Sequence, residues 1–506
     1  MRVLTLNPPF LNRYTRQSRS PAVSKGGCVY YPIYLGYTTG AVMNAGHTCL
    51  LHDAPAASQN LEQTMEIVKK FKPELAVIDT STASIYNDVH VLEEIKKEFP
   101  DCFTTLVGSH VTATPDQTMQ ISEQIDSVAR AEYDFTIREL AEVIEQGKDL
   151  KQVNGLTFRD RKQNKIVHNA PRREITGKEL DEEFPFVSQV YAKFLNIKDY
   201  FYPSVLWPEI TVVTGRGCPF RCTFCFIPQV MNGHEYRARS VQNVVDEFQW
   251  ISENLPYVKD IMLEDDTFTA DRKRTRDICQ EIIDRDLDVT FTSNARADVD
   301  LDTLKIMKKA GAREVCVGVE SGNQQILNNV KKGTTVQGIR KFMKDIKQTG
   351  ILVHGCFMLG NYGETKETIK ETIQFAKEID PDTAQFFPIM VYPGTEAFRQ
   401  FSEAGYMTTH KFDEWLTPEG QHNTIVSRPG LSNKELVELC DQARKEFYLR
   451  PSFVASKIKQ GLLHPKEIPR LALSAKVFFK YLLQGTKLPE EKIVAGTDAC
   501  CTTQAQ

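Results

Sequence analysis

The stretch Thr214-Gly-Arg-Gly-Cys-Pro-Phe-Arg-Cys-Thr-Phe-Cys-Phe226 places three cysteines, Cys218, Cys222 and Cys225, in a C-x-x-x-C-x-x-C run directly after the β-rich segment Ile210-Thr-Val-Val-Thr214. Three thiolates on one loop are one short of a closed metal site. Structural zinc takes four Cys or His ligands at short spacing, and a ferredoxin-type cluster takes four thiolates. The next cysteine is Cys279, too far along the chain to complete either pattern locally. The run therefore reads as an iron-sulfur site with one iron left open to a small molecule, with a small zinc knuckle or chance thiols as the bland alternative.

This spacing and its flanks resemble the radical S-adenosylmethionine (SAM) superfamily. The resemblance implies that Cys218, Cys222 and Cys225 hold a [4Fe-4S] cluster whose fourth iron is chelated by the amino and carboxylate groups of SAM, and that Phe224 lies beside the adenine. It also implies reductive cleavage of SAM to a 5'-deoxyadenosyl radical that removes a hydrogen from a small-molecule substrate. The electron would come from a donor such as flavodoxin or ferredoxin.

Composition sets the frame. The chain has 506 residues, 41% hydrophobic and 25% charged, with a formal net charge of -4, enough for two or three domains with large cores. Its near-neutral charge gives no general reason to expect nucleic acid. The N-terminus lacks a signal-peptide apolar region, and nowhere does a run approach the roughly 20 apolar residues of a spanning helix, so the expected compartment is the cytoplasm. Nine of the twelve cysteines lie outside the motif, and most of them read as small buried apolar residues. Cys500-Cys501 reads as tail, and without a second cysteine run after residue 300 a single cluster is expected.

Residues 1–150 alternate short apolar runs with helical patterns, which predicts a doubly wound, Rossmann-like parallel sheet. Strands are expected at Val3 to Leu6, Thr48 to His52, Leu75 to Asp79, Thr104 to Val107 and Ser127 to Arg130, with helices near 32–45, 61–71, 85–98, 115–122 and 135–146. Ligands of such sheets bind beyond the carboxyl ends of the strands, where Thr80-Ser-Thr-Ala-Ser84 and Gly108-Ser-His-Val-Thr112 gather. The segment resembles the cobalamin-binding domain of one radical SAM subclass. That resemblance implies Ser81, Ser84, Gly108, Ser109 and His110 as cofactor contacts. The Asp-x-His-x-x-Gly motif of proteins that ligate cobalt with histidine is missing, so cobalamin would bind with no protein histidine on cobalt. A domain that has kept the fold and lost the cofactor is the competing reading.

Residues 151–209 read as a β-hairpin, Gly155 to His168, followed by an irregular linker. From 210 to 400 six βα units, with strands at 210–214, 260–264, 288–292, 314–319, 352–358 and 384–390, match the partial (β/α)6 barrel of the superfamily. Residues 401–506 read as a helical C-terminal region. Its basic amphipathic stretch from Ile468 to Leu483 is expected to pack on the barrel, with a membrane surface as the less favoured partner.

Catalytic groups of parallel barrels cluster at the strand ends. Glu264, Asp265 and Asp266 end the second strand; in the resembling subclass this Asp-Asp-x-Phe segment stands where other members hold the SAM amino group, which makes Asp265 or Asp266 the candidate. Arg296, in Ser293-Asn-Ala-Arg296, offers a guanidinium fork suited to a carboxylate. Glu320 and Ser321 resemble ribose and methionine contacts, with a structural salt bridge as the alternative for Glu320. Met358, in Phe357-Met-Leu-Gly360, resembles the adenine-contacting segment. His354 reads as a core histidine. No residue is singled out as a catalyst.

The fate of the substrate radical depends on the second cofactor. With cobalamin, methyl transfer or a ring formation or contraction is expected; without it, radical dehydration or another rearrangement. A cluster-bearing electron-transfer protein and a zinc enzyme are the other classes. The substrate has no local signature. The C-terminal segments resemble a group acting on sugar-like, hopanoid and tetrapyrrole molecules, and a sugar-like or lipid-linked substrate is expected.

Overall fold

A computed structural model describes residues 1–463 except Ser18, together with Ile468, Ala472 and 490–492. The basic stretch from Ile468 to Leu483, apart from Ile468 and Ala472, and the Cys500-Cys501 pair lie outside the described residues.

The first sheet contains β1 (Arg2–Asn7), β2 (Thr48–Asp53), β3 (Leu75–Asp79), β4 (Phe103–Val107), β5 (Ser127–Ala129), β6 (Leu156–Asp160) and β7 (Lys165–His168), in the order 2-1-3-4-5-6-7. β1 to β5 run parallel. β3 is buried at all five positions, as expected for a parallel strand covered by helices on both faces. Helices 33–44, 61–71, 85–98 and 134–145 provide those covers. The helix expected over 115–122 forms as the shorter Pro115–Met119, opened by Pro115, and a further short helix, Ser109–Ala113, precedes it.

The hairpin at 155–168 extends this sheet: β6 pairs antiparallel with β5, and β7 with β6. The following segment is more ordered than the irregular linker its composition suggests. It forms helices Gly177–Glu182, opened by a Thr176/Glu179 capping box, and Val187–Phe194. Tyr200 then stacks on Tyr31 with ring centroids 3.8 Å apart.

Beyond β8 (Glu209–Val212) comes a short antiparallel ribbon of β9 (Gly215–Arg216) and β10 (Arg237–Ala238). β11 (Asp260–Leu263), β12 (Phe291–Ala295), β13 (Ala312–Glu320), β14 (Leu352–Leu359) and β15 (Thr383–Pro388) complete a six-stranded parallel sheet with β8, in the order 15-14-13-12-11-8. Helices between successive strands cover its outer face. Val315, Val317 and Val319 on β13 are almost wholly buried toward them, whereas Glu314, Cys316, Gly318 and Glu320 alternate onto the inner, lumen face. β12 starts three residues later than the apolar pattern suggests. Asp286 takes a left-handed φ of 52° and Val289 N–H bonds Leu287 O, so the chain is still turning there. The final part is only partly helical. Helices Glu396–Glu403, Asn433–Tyr448 and Pro451–Leu463 flank a looped stretch whose one short turn is Phe412–Trp415.

The two sheets are joined by buried charge. Arg216 is 1% exposed; it donates to Asp134 at 2.7 Å and lies 3.5 Å from Glu132, while Arg237 reaches Glu132 at 2.6 Å. Tyr37 OH adds a bond to Val213 O at 3.0 Å. Removing one member of a buried charge pair costs about 3–5 kcal/mol because the other is left uncompensated. Arg216→Met should therefore lower stability by about that amount, read as a lower urea midpoint by tryptophan fluorescence, while the exposed-pair variant Arg340→Met should shift it little.

Candidate functional site at the facing strand ends

The cysteine loop is shaped by backbone constraints before any cofactor is considered. Gly217, one residue before Cys218, has φ 84°, and a Cβ there would sit 1.9 Å from Glu235 O, so only glycine fits. Gln229, on the single π-type turn Ile227–Met231, donates through one nitrogen to the carbonyls of Cys222, Thr223 and Cys225 at 2.8–3.1 Å. Its oxygen accepts from Glu396 N–H at 2.9 Å. Thr223 is clamped from both sides by Val330 O and Ala397 N. The loop is thus held in the shape that presents its thiols.

Those thiols do not suit a single ion. Among the described residues, the one set of three metal-capable side chains converging within 4.8 Å is Cys316, His354 and Cys356; Cys218, Cys222 and Cys225 are spread more widely. Tetrahedral zinc with bonds of about 2.3 Å requires sulfurs about 3.8 Å apart. As a set, the three motif thiols do not stand at that spacing. Burial pushes the Cys222 thiol up and that of Cys225 up to about 12, with Arg19 opposing the shift at Cys225.

The expected strand-end residues divide by what they touch. Asp266 accepts from Gly217 N–H at 2.8 Å and from Asn232 at 3.1 Å, so it stands at the base of the cysteine loop. Arg296 lies flat over Phe220, within the motif, with its guanidinium carbon 3.5 Å from the ring centre, and donates to Lys332 O. Phe224 is half-buried and Met358 is buried against the core. Asp265 differs from expectation: both its oxygens accept from Thr214, each at 2.6 Å, because it ties β11 to the end of β8. Glu320 forms a 2.8 Å buried ion pair with Lys332, packed where Gly318 leaves room. Ser321 bonds Thr372 and caps the next turn.

The first sheet's strand ends also differ from the expected open crevice. The loop between β1 and the first helix folds over them. Tyr14 OH bonds Ser81, Ser81 bonds Ser84, Ser84 donates to Asp88, and Asp88 pairs with the fully buried Arg16. Ser81 and Ser84 are therefore occupied by protein. Gly108 is required by close approach, since a Cβ would lie 2.6 Å from Thr80 O, and Ser109 begins the short helix. His110 is 1% exposed and stacks edge-on against Phe412 at 4.6 Å. Burial pushes its pKa down to about 3, so the ring is neutral. His110 Nδ1, Tyr133 OH and Trp415 Nε1 are buried without a hydrogen-bond partner. Buried polar atoms of this kind are satisfied by water or a polar ligand.

Both sets of strand ends face each other. Thr112, in the β4 loop, reaches Met231, six residues past Cys225, at 3.8 Å. Tyr34 OH accepts from Asn232 at 3.0 Å. From the N-terminal loop, Arg19 donates to the carbonyls of Asp265 and Asp266 and lies 3.5 Å from Glu264. Sequence reading missed Arg19, Gln229 and Lys332. Arg19 acts on residues far along the chain, whereas Gln229 and Lys332 donate to partners 4 to 12 residues away, and none carries a local motif. Among the described residues no helix is long and apolar enough to cross a membrane.

Residues 212–376 match the family model described as the radical SAM superfamily. The chain is 31% identical over 428 residues to an uncharacterized methyltransferase of Pyrococcus horikoshii, covering 84% of this chain and 90% of that one. It is 25% identical over 429 residues to the anaerobic magnesium-protoporphyrin IX monomethyl ester cyclase of Rubrivivax gelatinosus, covering 84% and 74%. Among solved structures, the radical SAM methyltransferase TsrM of Kitasatospora setae, with tryptophan and a SAM analogue bound, superposes with a TM-score of 0.64 at 18% identity, over 81% of this chain and 77% of TsrM. The cobalamin-dependent SAM radical enzyme OxsB, with aqua-cobalamin bound, gives 0.60 at 18% identity, over 88% and 61%. At these identities the structural likeness is one of fold.

Two outcomes are expected from this geometry. Gln229→Leu strips three loop carbonyls of their donor, at about 1–3 kcal/mol for each one left buried and unpaired, and should lower iron retained per chain after reconstitution although all three cysteines remain. Asp79, at the end of β3, is pushed by burial up to about 7, against the donation from Gln17. Its unfolded value is about 3.9. The unfolded chain thus loses this proton first, and stability falls as pH rises between about 4 and 7. Asp79→Asn should remove that fall, raising the urea midpoint relative to wild type more at pH 8 than at pH 5.

Proposed function

The chain belongs to the radical SAM superfamily, and on that premise we propose that it is a cobalamin-dependent methyltransferase that acts on an unactivated carbon of a small, sugar-like or lipid-linked molecule in the cytoplasm. The observation that carries this reading is the apposition of the β3 to β5 ends with the three-cysteine loop, through Thr112 and Met231. Two cofactors bound on those surfaces would meet over the barrel mouth. When bound, a [4Fe-4S] cluster on Cys218, Cys222 and Cys225 supplies the electron that cleaves SAM to methionine and a 5'-deoxyadenosyl radical, and cobalamin supplies the methyl group.

The chain's own part is to bind, orient and exclude water. Asp266 keeps a carboxylate at the base of the cysteine loop, where a charge-assisted bond to the SAM amino group suits it. Arg296, flat on Phe220, keeps a cation beside the motif for the SAM carboxylate. Phe224 offers a face to the adenine. The unpartnered His110 Nδ1, Tyr133 OH and Trp415 Nε1 would bond the corrin edge. His110, neutral and held against Phe412, would serve as a wall and hydrogen-bonding group for the bound cofactor. Phe226 and Tyr392, in edge contact at 5.4 Å, help close the mouth to water. Reducing equivalents would come from a small donor such as flavodoxin or ferredoxin. Relatives described as methyltransferases support methyl transfer; the match to the magnesium-protoporphyrin cyclase over 84% of the chain keeps ring formation as the second reading.

Anaerobically reconstituted protein given dithionite and SAM should form 5'-deoxyadenosine, and Cys222→Ala should reduce this to background; full turnover by that variant overturns the assignment. With hydroxocobalamin added and reduced to cob(I)alamin, the cobalt should take the methyl group of SAM, so that S-adenosylhomocysteine accumulates in a cobalamin-dependent manner. Formation of 5'-deoxyadenosine with no such homocysteine product would overturn methyl transfer and leave dehydration or rearrangement.

A further inference from the structure

A second thiol site lies inside the barrel, assembled from residues that no local spacing connects. Cys316 is on β13, His354 and Cys356 on β14, and the strand register sets Cys316 beside His354 and Gly318 beside Cys356. All three are half-buried and alternate onto the face opposite the fully packed Val315, Val317 and Phe357. That face is the lumen.

The geometry is that of one ion. The two sulfurs are 3.7 Å apart, against about 3.8 Å for two thiolates bound at about 2.3 Å to a tetrahedral centre. A ring nitrogen of His354 lies within 4.8 Å of both. Thr383 on β15, 2.7 Å from His354 Nδ1, supplies the outer hydrogen-bond partner that orients metal-binding histidines. The motif cysteines show the opposite spacing, too wide for a single ion. The nine cysteines outside the motif, most of them read from sequence as buried filler, thus include a pair with ligand geometry.

We propose that Cys316, Cys356 and His354 bind a single borderline-soft divalent ion, Zn(II) foremost, and leave its fourth position open to the substrate. Thiolate and imidazole select such ions, and three protein ligands with one open position is the arrangement of zinc sites that bind reactants. Among the described residues no fourth His, Cys, Asp or Glu converges with the three. The groups around Cys316 include Cys28, Tyr30 and Tyr202, contributed by the N-terminal loop and the segment before β8. The surroundings of the three ligands are therefore built partly by other parts of the chain. The open position would take a substrate thiolate, carboxylate or carbonyl oxygen, fixing that group while hydrogen is removed elsewhere on the molecule.

The test requires neither SAM nor reductant, so its outcome is separate from that of the radical chemistry. Full-length chain carrying Cys218→Ala, Cys222→Ala and Cys225→Ala, which lacks the cluster ligands, is titrated anaerobically with Co(II). One equivalent should bind with a thiolate charge-transfer band and the intense visible bands of a tetrahedral ion, both lost on adding Zn(II). A further Cys356→Ser or His354→Ala should weaken binding by more than the roughly 10–100-fold caused by loss of an outer partner. An octahedral spectrum, no binding, or binding unaffected by these substitutions overturns the proposal. Should the triple variant fail to fold, alkylation of the unmutated chain gives the same answer by peptide mass. Zn(II) should protect Cys316 and Cys356, and equal labelling with and without Zn(II) overturns the site.

Discussion

The structure turns on the buried guanidinium of Arg216. It sits one residue before Gly217 and two before Cys218, yet its partners Asp134 and Glu132 belong to the first sheet. A cation with 1% exposure is tolerable only where opposite charge is already in place, so the cysteine loop can adopt its shape only when the two sheets are docked. Arg237 brings a second cation to Glu132 and extends the cluster to Glu174 at 3.3 Å. The position of the motif is thereby made a property of the interface.

Docking has a second consequence. Strand ends of an open sheet and of a parallel barrel are each a binding surface, and facing them encloses both. The loop after β1 spans the gap. Its Arg16 is spent on Asp88 inside the first sheet, while its Arg19 reaches the carbonyls after β11. One connector therefore closes the crevice of one sheet and lines the mouth of the other. This is why Ser81 and Ser84, at the right place in the topology, point into a hydrogen-bonded chain. The buried polar atoms without a protein partner include those of Tyr133, His110 and Trp415.

The two groups of thiols are positioned by different backbone elements. A loop can hold thiols apart, because its backbone is free to spread around a large centre once Gly217 and Gln229 fix it. Neighbouring parallel strands lie about 4.8 Å apart, which brings side chains on one face within reach of a single ion. Cys218, Cys222 and Cys225 follow the first geometry, Cys316, His354 and Cys356 the second.

The strands of both sheets were legible because apolar runs of four to eight residues between turn residues have few other folds, and the C-x-x-x-C-x-x-C run was legible because its meaning lies in spacing along the chain. Ends of elements were less so: β12 is displaced by a turn at Asp286 that apolar periodicity does not register. Side-chain partners were decided by the fold alone. Asp265 and Asp266 are adjacent and chemically identical, yet one is saturated by Thr214 and the other stands under the cysteine loop, since successive residues at a strand end point in opposite directions. Glu320 found Lys332, and Cys316 found Cys356, through contacts between strands and loops that sequence distance conceals. The sequence by itself determined the fold class and the three thiols, which are local patterns; the tertiary structure decided which charges are paired, which crevice is filled and which other thiols meet, because each of those depends on surfaces brought together only by docking.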